Sequence, residues 1–458
     1  MKLNQDAAIA AIATAPAPGA VGIIRISGRD SEIIADRLFF PKSGGKLADR
    51  PARSAVFGEI RGESGEVLDN ALAIFFPGPA SYTGEDTVEL QCHGGPALLQ
   101  TVLDRVLDCG ARMAGPGEFT RRAFLNGKMD LTQAEAVADL ISADWEGAVK
   151  NAAAQLSGAY GARIRSVYES LRSVAAAYTA VMDYSDQNVS APDTDGAAAE
   201  LAAAGKTLCE LVRGARSGQI LRDGLHTAVV GRPNAGKSSV FNRLLGFSRS
   251  IVTDEAGTTR DVVTEKVCVG GVPLRLADTA GLREGTTAPE RMGIALARSE
   301  ADRAGLILAV FDVSAPLTEE DEEVLSLAGE NIICLCNKCD LTVDKTTKTR
   351  LENTFNTCIS VSAVTGEGFD ALAAAVTRAA GFSGVRFDGS LVTNARQRDM
   401  LSRAEELVRD ALTALELGAE DALWGCVTEA CEAVGSVLGI AVPEDVEKEV
   451  FSRFCIGK

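Results

Sequence analysis

At positions 231–238 the chain reads Gly231-Arg232-Pro233-Asn234-Ala235-Gly236-Lys237-Ser238. An apolar run at 225–230 precedes these residues, and a helix-forming segment at 239–245 follows them. Glycines in such a loop let backbone N–H groups approach phosphates at the positive N-terminus of a helix, while the lysine reaches the terminal phosphates and the serine hydroxyl binds Mg²⁺. The stretch therefore predicts a P-loop between a strand and a helix, within a parallel α/β domain.

Three later segments predict the nucleotide that this loop binds. Asp278-Thr279-Ala280-Gly281 ends an apolar strand, where a carboxylate can hold a water of the metal and a glycine N–H can contact the γ-phosphate. Asn337-Lys338-Cys339-Asp340 ends another strand, and its aspartate can accept both the ring N–H and the exocyclic amine of guanine. Adenine lacks that pair of donors. Ser360-Val361-Ser362-Ala363 supports the base in this interpretation, and together the segments predict a GTP site.

The polar, glycine-containing loop at 251–261 lies between the P-loop and Asp278, where a nucleotide-dependent switch is expected. Its Thr259 is the predicted second hydroxyl ligand of Mg²⁺. Leu282 follows Gly281, at a place where many GTPases have the glutamine that orients the attacking water. Another group must therefore orient that water, and spacing alone does not choose among the charged residues that follow, which are Arg283, Glu284 and Glu290.

Composition excludes several classes of protein. The chain has 458 residues and a formal net charge of −17, which argues against a broad basic surface for nucleic acid. Its 11 cysteines have irregular spacing, so they predict a reducing compartment and not a disulfide framework. The first residues lack the pattern of a signal or transit peptide, and no apolar stretch is long enough to span a membrane. We expect a cytoplasmic protein.

Changes in sequence texture predict a multidomain fold. Short β-type runs at 21–26 and 71–76, with a helical pattern at 96–109, indicate an α+β domain over 1–127. Helical periodicity predicts an all-α domain in two halves, 128–218 and 384–458, with a polar break at 183–196. Alternating strands and helices predict a Ras-like P-loop GTPase domain at 219–383, inserted between those halves.

Some cysteines and histidines have the spacing of metal ligands. Cys334, Cys336 and Cys339 fall in or next to a strand, and we interpret them as small buried side chains and not as a metal site. Cys426 and Cys431 lie in a helical stretch and are predicted core residues. His93 and His226 form no predicted metal cluster.

The chain resembles the bacterial tRNA modification GTPases of the MnmE family, also called TrmE, over essentially its full length. The matching segments outside the GTPase motifs are Gly22-Ile23-Ile24-Arg25-Ile26-Ser27-Gly28, Tyr82-Thr83-Gly84-Glu85-Asp86, Glu89-Leu90-Gln91, His93-Gly94-Gly95-Pro96, Pro116-Gly117-Glu118-Phe119-Thr120, Ala123-Phe124-Leu125-Asn126-Gly127-Lys128 and Phe451-Ser452-Arg453-Phe454-Cys455-Ile456-Gly457-Lys458. A generic GTPase would share none of these.

The resemblance implies modification of the wobble uridine of certain tRNAs at the five position, with an aminomethyl or carboxymethylaminomethyl group. It implies a flavoprotein partner, MnmG (GidA), in a heterotetramer-type complex, and a homodimer formed through the N-terminal domain. It also implies a tetrahydrofolate derivative that donates a one-carbon unit and is bound by that domain. The matching folate residues are Arg25, Glu89, Lys128 and Lys458, and Cys455 matches a cysteine needed for modification.

The resemblance further implies GTP hydrolysis activated by K⁺ when two GTPase domains meet. Glu290 matches the residue that positions the water, and Arg260 is a further catalytic candidate. Ser238 and Thr259 are the implied Mg²⁺ ligands, and the implied K⁺ ligands are Asn234, Thr253, Glu255 and Thr258. The full set of predicted GTP-binding residues is Asn234, Ala235, Gly236, Lys237, Ser238, Ser239, Thr253, Asp254, Glu255, Ala256, Gly257, Thr258, Thr259, Asp278, Thr279, Ala280, Gly281, Asn337, Lys338, Asp340, Ser362 and Ala363.

Two segments depart from the family pattern: the loop at 16–20 lacks an Arg-Gly-Gly run, and 185–187 replaces a Pro-Glu-Glu. Two other functions stay open at this point. A ribosome-assembly or RNA-binding GTPase of the Era or Der type shares the P-loop motif, but it generally carries a basic RNA-binding domain. A folate-binding scaffold with a relic GTPase domain is disfavoured by the intact Lys237, Ser238, Thr259 and Asp278.

Overall fold

The computed structural model describes residues 7–183, 193–247, 264–277, 304–327, 329, 331–440 and 442–458. The chain divides into two compact units. One consists of Met1–Ala138 with Gly435–Lys458, and the other of Asp139–Val434. The four-part domain division made from the sequence stays a prediction.

The first unit is built on a sheet of seven strands among the described residues. They are β1 (Ile9–Ile12), β2 (Val21–Ser27), β3 (Phe39–Pro41), β4 (Ala55–Arg61), β5 (Val67–Phe76), β6 (Thr87–His93) and β7 (Arg112–Met113). Their order is β3-β4-β5-β6-β2-β1-β7. Neighbouring strands are antiparallel except β1 and β7, which are parallel.

The two faces of this sheet differ in what covers them. On the inner face, β-strand residues such as Ile24, Ile26 and Leu90 pack in one core with the helices Ser31–Asp36 and Pro96–Asp108. On the outer face, Phe57 and Leu72 are register partners on β4 and β5 and are 53% and 37% exposed. Alternation along each strand thus places apolar side chains on both faces.

The remaining helices of this unit come from both parts of the chain that form it. They are Glu118–Leu125, most of Leu131–Ile141, and Glu444–Ser452. Arg121 binds Glu447 at 2.5 Å, and Pro116 forms an antiparallel bridge with Ile456. Gly457 has a φ of 103°, and a Cβ there would come within 2.3 Å of the Ile12 carbonyl oxygen. The segment 453–458 is therefore seated against β1 by its backbone.

The second unit contains long helices, Glu146–Leu156, Ala159–Asp183, Thr194–Asp223, Ala395–Glu416 and most of Glu420–Leu438. Their apolar stripes supply buried leucines such as Leu201, Leu208 and Leu401. Gln155 donates a hydrogen bond of 2.7 Å to the Leu391 carbonyl, and Tyr160 donates one of 2.9 Å to Gln397. The helices predicted on both sides of the α/β segment are thus confirmed.

A six-stranded sheet of the described residues completes the second unit. Its strands are β8 (Leu225–Val230), β9 (Thr264–Val269), β10 (Val272–Ala277), β11 (Leu306–Asp312), β12 (Ile332–Asn337) and β13 (Cys358–Ser360), in the order β13-β12-β11-β8-β10-β9. All neighbours are parallel except β9 and β10. The accompanying helices are Lys237–Phe247, Glu319–Leu325, Lys345–Thr354 and Phe369–Ala379. The predicted alternation of strands and helices is confirmed.

The cysteine predictions have two outcomes. Cys334 and Cys336 are buried on β12, as predicted. Cys339 follows the end of β12 and is only half-buried, and so are Cys426 and Cys431 on the helix Glu420–Leu438. The burial predicted for these three cysteines is therefore wrong. Within the described ranges, every helix is too short or too polar to cross a bilayer.

Close packing in the helical part predicts a strong effect of one added methyl group. A Cβ at Gly218 would lie 2.1 Å from the Val392 carbonyl oxygen, so Gly218→Ala should destabilise the protein by about 1–3 kcal/mol. Gly425 also lies in a helix, with nothing within 4 Å of an added Cβ. Gly425→Ala should be neutral or stabilising by about 1 kcal/mol. Thermal unfolding measures both, and equal melting temperatures would contradict the predicted packing.

Candidate functional site

The P-loop begins where β8 ends at the carboxyl edge of the six-stranded sheet. Gly231, Asn234 and Gly236 have φ angles of 154°, 62° and 96°, so the loop has a positive φ at three positions. A Cβ at Gly236 would come within 2.2 Å of the Asn337 amide nitrogen. Only glycine fits there without moving that side chain. The helix Lys237–Phe247 starts directly after the loop, with Ser238 and Ser239 exposed on its first turn.

Lys237 folds back over the loop that precedes it. Its Nζ donates to the carbonyl oxygens of Gly231 at 2.8 Å and Arg232 at 2.9 Å. Burial lowers the pKa of Lys237, and the charge of Glu320 opposes that shift. A partly desolvated ammonium gains from the approach of an anion, so this position suits a phosphate.

Asn337, at the end of β12, joins the P-loop to the base-binding segments. It is 2% exposed, its amide nitrogen donates to the Ala235 carbonyl at 2.9 Å, and its amide oxygen accepts from the Ala363 N–H at 3.2 Å. Ser362 is fully buried and accepts from the Thr365 N–H at 3.1 Å. The predicted residues at 235, 337, 362 and 363 are therefore brought together.

Asp340 is exposed at the open end of this arrangement, beyond Lys338, whose φ is 65°. Ligands of parallel sheets bind at the carboxyl ends of the strands, so a ligand can reach this exposed carboxylate. Lys338 donates to Asp312 at 2.6 Å, an interaction that the motif alone does not indicate. Asp340 is thus free to accept hydrogen bonds from a base.

A further group of predicted residues lies outside the described residues. These are Thr253, Asp254, Glu255, Ala256, Gly257, Thr258, Thr259, Arg260, Asp278, Thr279, Ala280, Gly281 and Glu290, with Leu282, Arg283 and Glu284. The departing segment at 185–187 also lies outside them. The assigned roles of all these residues stay predictions.

A second cluster lies on the outer face of the seven-stranded sheet. Arg25 on β2 and Glu89 on β6 are register partners, and their side chains pair at 2.8 Å. Burial lowers the pKa of Lys458, the charge of Arg25 lowers it further, and Glu89 opposes the shift. The Lys458 ammonium is thus affected by the charges of both Arg25 and Glu89, which are two of the other predicted folate residues.

Two aromatic rings cover the Arg25 guanidinium. Its central carbon lies 5.3 Å from the ring centre of Tyr82 and 5.6 Å from that of Phe119, within the range of cation–π attraction. Burial raises the pKa of Tyr82, against its hydrogen bond to Thr120 and the charge of Arg25. The cluster combines a cation, an anion and two π-faces, which suits a ligand that is both aromatic and charged.

The other two predicted residues of this unit are less directly placed. Lys128 donates to the Pro79 carbonyl at 2.9 Å, in the loop that leads to Tyr82. Cys455 is exposed, and its carbonyl accepts from the Gly117 N–H at 3.4 Å. The Lys458 carbonyl accepts from the Phe119 N–H at 3.2 Å. Backbone bonds therefore bring Cys455 and Lys458 to the same helix start as Phe119.

Sequence reasoning missed three residues of these sites, Tyr82, Phe119 and Asp312. Tyr82 and Phe119 were noticed only as parts of matching segments, because a loop and a helix start place them over Arg25 through tertiary packing. Asp312 ends a buried apolar strand, and a polar residue there was the available signal. Among the described residues, no group of three or more His, Cys, Asp or Glu is arranged to hold a metal.

The strand, loop and helix around Lys237, with a buried asparagine and an exposed aspartate after β12, define a guanine-nucleotide-binding P-loop domain. Two family descriptions match the chain, "MnmE helical domain" at 131–455 and "GTP-binding protein TrmE N-terminus" at 8–128. The chain belongs to the MnmE family of tRNA modification GTPases, which confirms the resemblance found in its sequence.

Individual relatives agree over nearly their whole length. The tRNA modification GTPase MnmE of Roseiflexus sp. (strain RS-1) is 43% identical over 464 residues, covering 99% of this chain and 99% of that protein. The protein of the same name from Symbiobacterium thermophilum is 44% identical over 456 residues, with 98% and 99% covered. That from Laribacter hongkongensis is 41% identical, with 98% of each chain covered.

Proposed function

We propose that this protein is a K⁺-activated, Mg²⁺-dependent GTPase that modifies the wobble uridine of certain tRNAs at the five position in the cytoplasm. The single observation that carries the GTPase half is the Asn337 amide, which bonds both the P-loop at Ala235 and the base segment at Ala363. That bond sets the phosphate and base subsites at a fixed separation. Family membership supports the tRNA half.

In this proposal each described residue has a physical task. The N–H groups around Gly236 and the Lys237 ammonium bind the phosphates, because both present positive charge at a helix N-terminus. Ser238 would supply a hydroxyl to Mg²⁺. Outside the described residues, Thr259 would supply a second hydroxyl and Asp278 would hold a water of the metal. Asp340 accepts the guanine donors. Bound Mg²⁺ supplies charge neutralisation between the phosphates.

Water activation and the cation site rest on the family resemblance. Glu290 orients the attacking water in place of the missing glutamine, and Arg260 is a further candidate. Asn234 is exposed on the P-loop, where it can reach a cation beside the phosphates, together with Thr253, Glu255 and Thr258. A monovalent cation there neutralises charge as an arginine finger does in other GTPases.

The cation proposal predicts a salt-specific rate. GTP hydrolysis should be on the order of tenfold or more faster in potassium than in sodium at equal ionic strength, because the cation stabilises developing phosphate charge. Asn234→Ala should abolish the difference between the two salts, and Glu290→Ala should lower the rate in both. Steady-state phosphate release measures these rates.

The matched control for these variants is Asn353→Ala, which changes an exposed asparagine on the helix Lys345–Thr354. It should leave both rates unchanged. Equal rates of the unaltered protein in potassium and sodium would remove the cation site.

We further propose that the cluster around Arg25 holds a tetrahydrofolate derivative. The residues fit the group: Glu89 can accept N–H donors of a pterin edge, Arg25 and Lys458 can pair with carboxylates, and the rings of Tyr82 and Phe119 can exclude water. The bound folate supplies the one-carbon unit. Lys128 completes the cationic set, and the exposed thiol of Cys455 is a proposed participant in the modification.

The folate proposal predicts separable effects on two ligands. Arg25→Gln should weaken binding of 5-formyltetrahydrofolate about tenfold or more, because it removes a charge-assisted hydrogen-bond donor, and it should leave GTP affinity unchanged. Arg61→Gln is the control, since Arg61 also lies over an aromatic ring, that of Phe40, on the same sheet. Isothermal titration measures both ligands. Unaltered folate binding by Arg25→Gln would refute the assignment.

We propose a homodimer formed through the outer face of the seven-stranded sheet. Besides Phe57 and Leu72, this face exposes Val21 at 57% and Phe40 at 39%, a set of apolar side chains on neighbouring strands that marks an interaction surface. The same face carries the pair Arg25 and Glu89, so a second copy would also enclose the proposed folate cluster.

The dimer proposal predicts that one charged residue introduced on this face dissociates the dimer. Phe57→Asp should give a monomer, because an aspartate would be buried unpaired in the interface. Leu417→Asp changes a side chain that is 78% exposed in the other unit and should leave a dimer. Light scattering after size exclusion measures the mass, and a dimeric Phe57→Asp protein would place the interface elsewhere.

We propose MnmG as the flavoprotein partner on the basis of family membership. The formal net charge of −17 makes strong binding of tRNA by this chain alone unfavourable. A partner with a positively charged surface would bind the tRNA and so allow this acidic chain to act on it.

A further inference from the structure

A carboxylate lies between the two strands whose ends bind nucleotide. In the six-stranded sheet, β11 separates β8, which leads into the P-loop, from β12, which leads into 337–340. The last residue of β11 is Asp312, the register partner of Asn337. Asp312 is only 9% exposed, so its charge requires partners.

Both oxygens of Asp312 are engaged. Oδ1 accepts from the Ser314 N–H at 2.9 Å and from the Ser314 hydroxyl at 2.5 Å. Oδ2 accepts from Lys338 Nζ at 2.6 Å and lies 3.9 Å from Arg232 Nη2. The carboxylate is thus held by its own turn and faces one cation from each nucleotide-binding loop.

The Arg232 end of this arrangement is itself fixed. Arg232 Nε lies 3.1 Å from Oδ2 of Asp321, which is 1% exposed. The same oxygen accepts from the backbone N–H of Thr318 at 2.9 Å. Asp321 is the third residue of the helix Glu319–Leu325 and forms a capping box with Thr318, so the carboxylate that pairs with Arg232 is held by the helix start.

The Lys338 end is the part that needs support. Its φ of 65° is a left-handed conformation that is unfavourable for a non-glycine residue. The charge-assisted hydrogen bond to Asp312 offsets that cost. Burial raises the pKa of Asp312, but hydrogen bonds from Lys338 and Ser314 outweigh it and lower the pKa. The carboxylate therefore stays charged at neutral pH.

We propose that Asp312 is a positioning residue for guanine selection, which holds Lys338 and the loop 337–340 at a fixed place relative to Arg232 of the P-loop. Asp312 acts through Lys338, whose backbone leads to Asp340. A shifted loop moves the Asp340 carboxylate away from the exocyclic amine of guanine. The inference deepens the proposed function, since it rests on guanine-nucleotide binding.

The test compares two nucleotides that differ in one donor. Inosine diphosphate lacks the exocyclic amine of GDP, so the ratio of the two affinities reports the Asp340 contact. Asp312→Asn keeps the shape of the side chain and removes its charge. It should weaken GDP binding about tenfold and lower the GDP-to-inosine-diphosphate affinity ratio at least threefold, as expected for one lost charged hydrogen bond. Isothermal titration measures both affinities.

Control variants separate positioning from a general loss of stability. Glu322→Gln breaks an exposed ion pair with Arg350 in the same unit and should leave the ratio unchanged. Asp312→Glu retains the charge and should keep a larger ratio than Asp312→Asn. If Asp312→Asn does not fold, Ser314→Ala, which frees the carboxylate from one restraint, should lower the ratio in the same direction about twofold.

Each remaining outcome overturns a defined statement. An unchanged affinity ratio in a folded Asp312→Asn protein, with or without weaker GDP binding, refutes the positioning role and leaves the GTPase intact. Absence of GDP binding by the unaltered protein refutes the proposed GTPase and, with it, this inference.

Discussion

The buried amide of Asn337 is the interaction on which the nucleotide half of this protein depends. Its two hydrogen bonds, to Ala235 and Ala363, join three loops that come from different strands of one sheet. Both bonds are enclosed, so breaking either leaves a buried polar atom without compensation. The glycine at 236 is a consequence of this amide, because the space that a Cβ would occupy is already filled. Asp312 lies on the neighbouring strand β11. Its ion pairs with Lys338 and Arg232 restrain the same loops.

The inner face of the seven-stranded sheet is covered by the hydrophobic core of its unit, so it is closed to ligands. The outer face, which carries Arg25 and Glu89, remains for recognition. There Arg25 on β2 and Glu89 on β6 form an ion pair. Because each charge compensates the other, both can stay half-buried when no ligand is bound. An entering ligand would exchange this pair for its own polar groups, so affinity depends on how well it replaces both partners.

The sequence was sufficient for the parts of the fold that follow from local chemistry. The P-loop with its strand and helix, the strand at Ile332–Asn337 and the long helices agree with the structure because glycine placement and apolar periodicity determine them locally. The order β13-β12-β11-β8-β10-β9 and the rings over Arg25 depend on long-range packing, which no window of sequence contains. Asp312 illustrates the boundary: it stands in the sequence after an apolar run, but only the sheet order puts it between two cations. Cys431 illustrates the opposite error: its place in a helical stretch predicted a core position, but the residue is only half-buried.

The division of the first unit between both ends of the chain has a consequence for biosynthesis. Residues 139–434 must be translated before the segment that carries Lys458 and bridges Pro116 through Ile456. At roughly 5–20 residues per second, these 434 − 138 = 296 residues take about 15–60 s. During that interval all seven strands of the first sheet have been synthesised, while Lys458 near Arg25 has not. The GTPase domain therefore emerges and can fold before the cluster is complete, so a nascent chain acquires its two sites in the reverse of their order along the sequence.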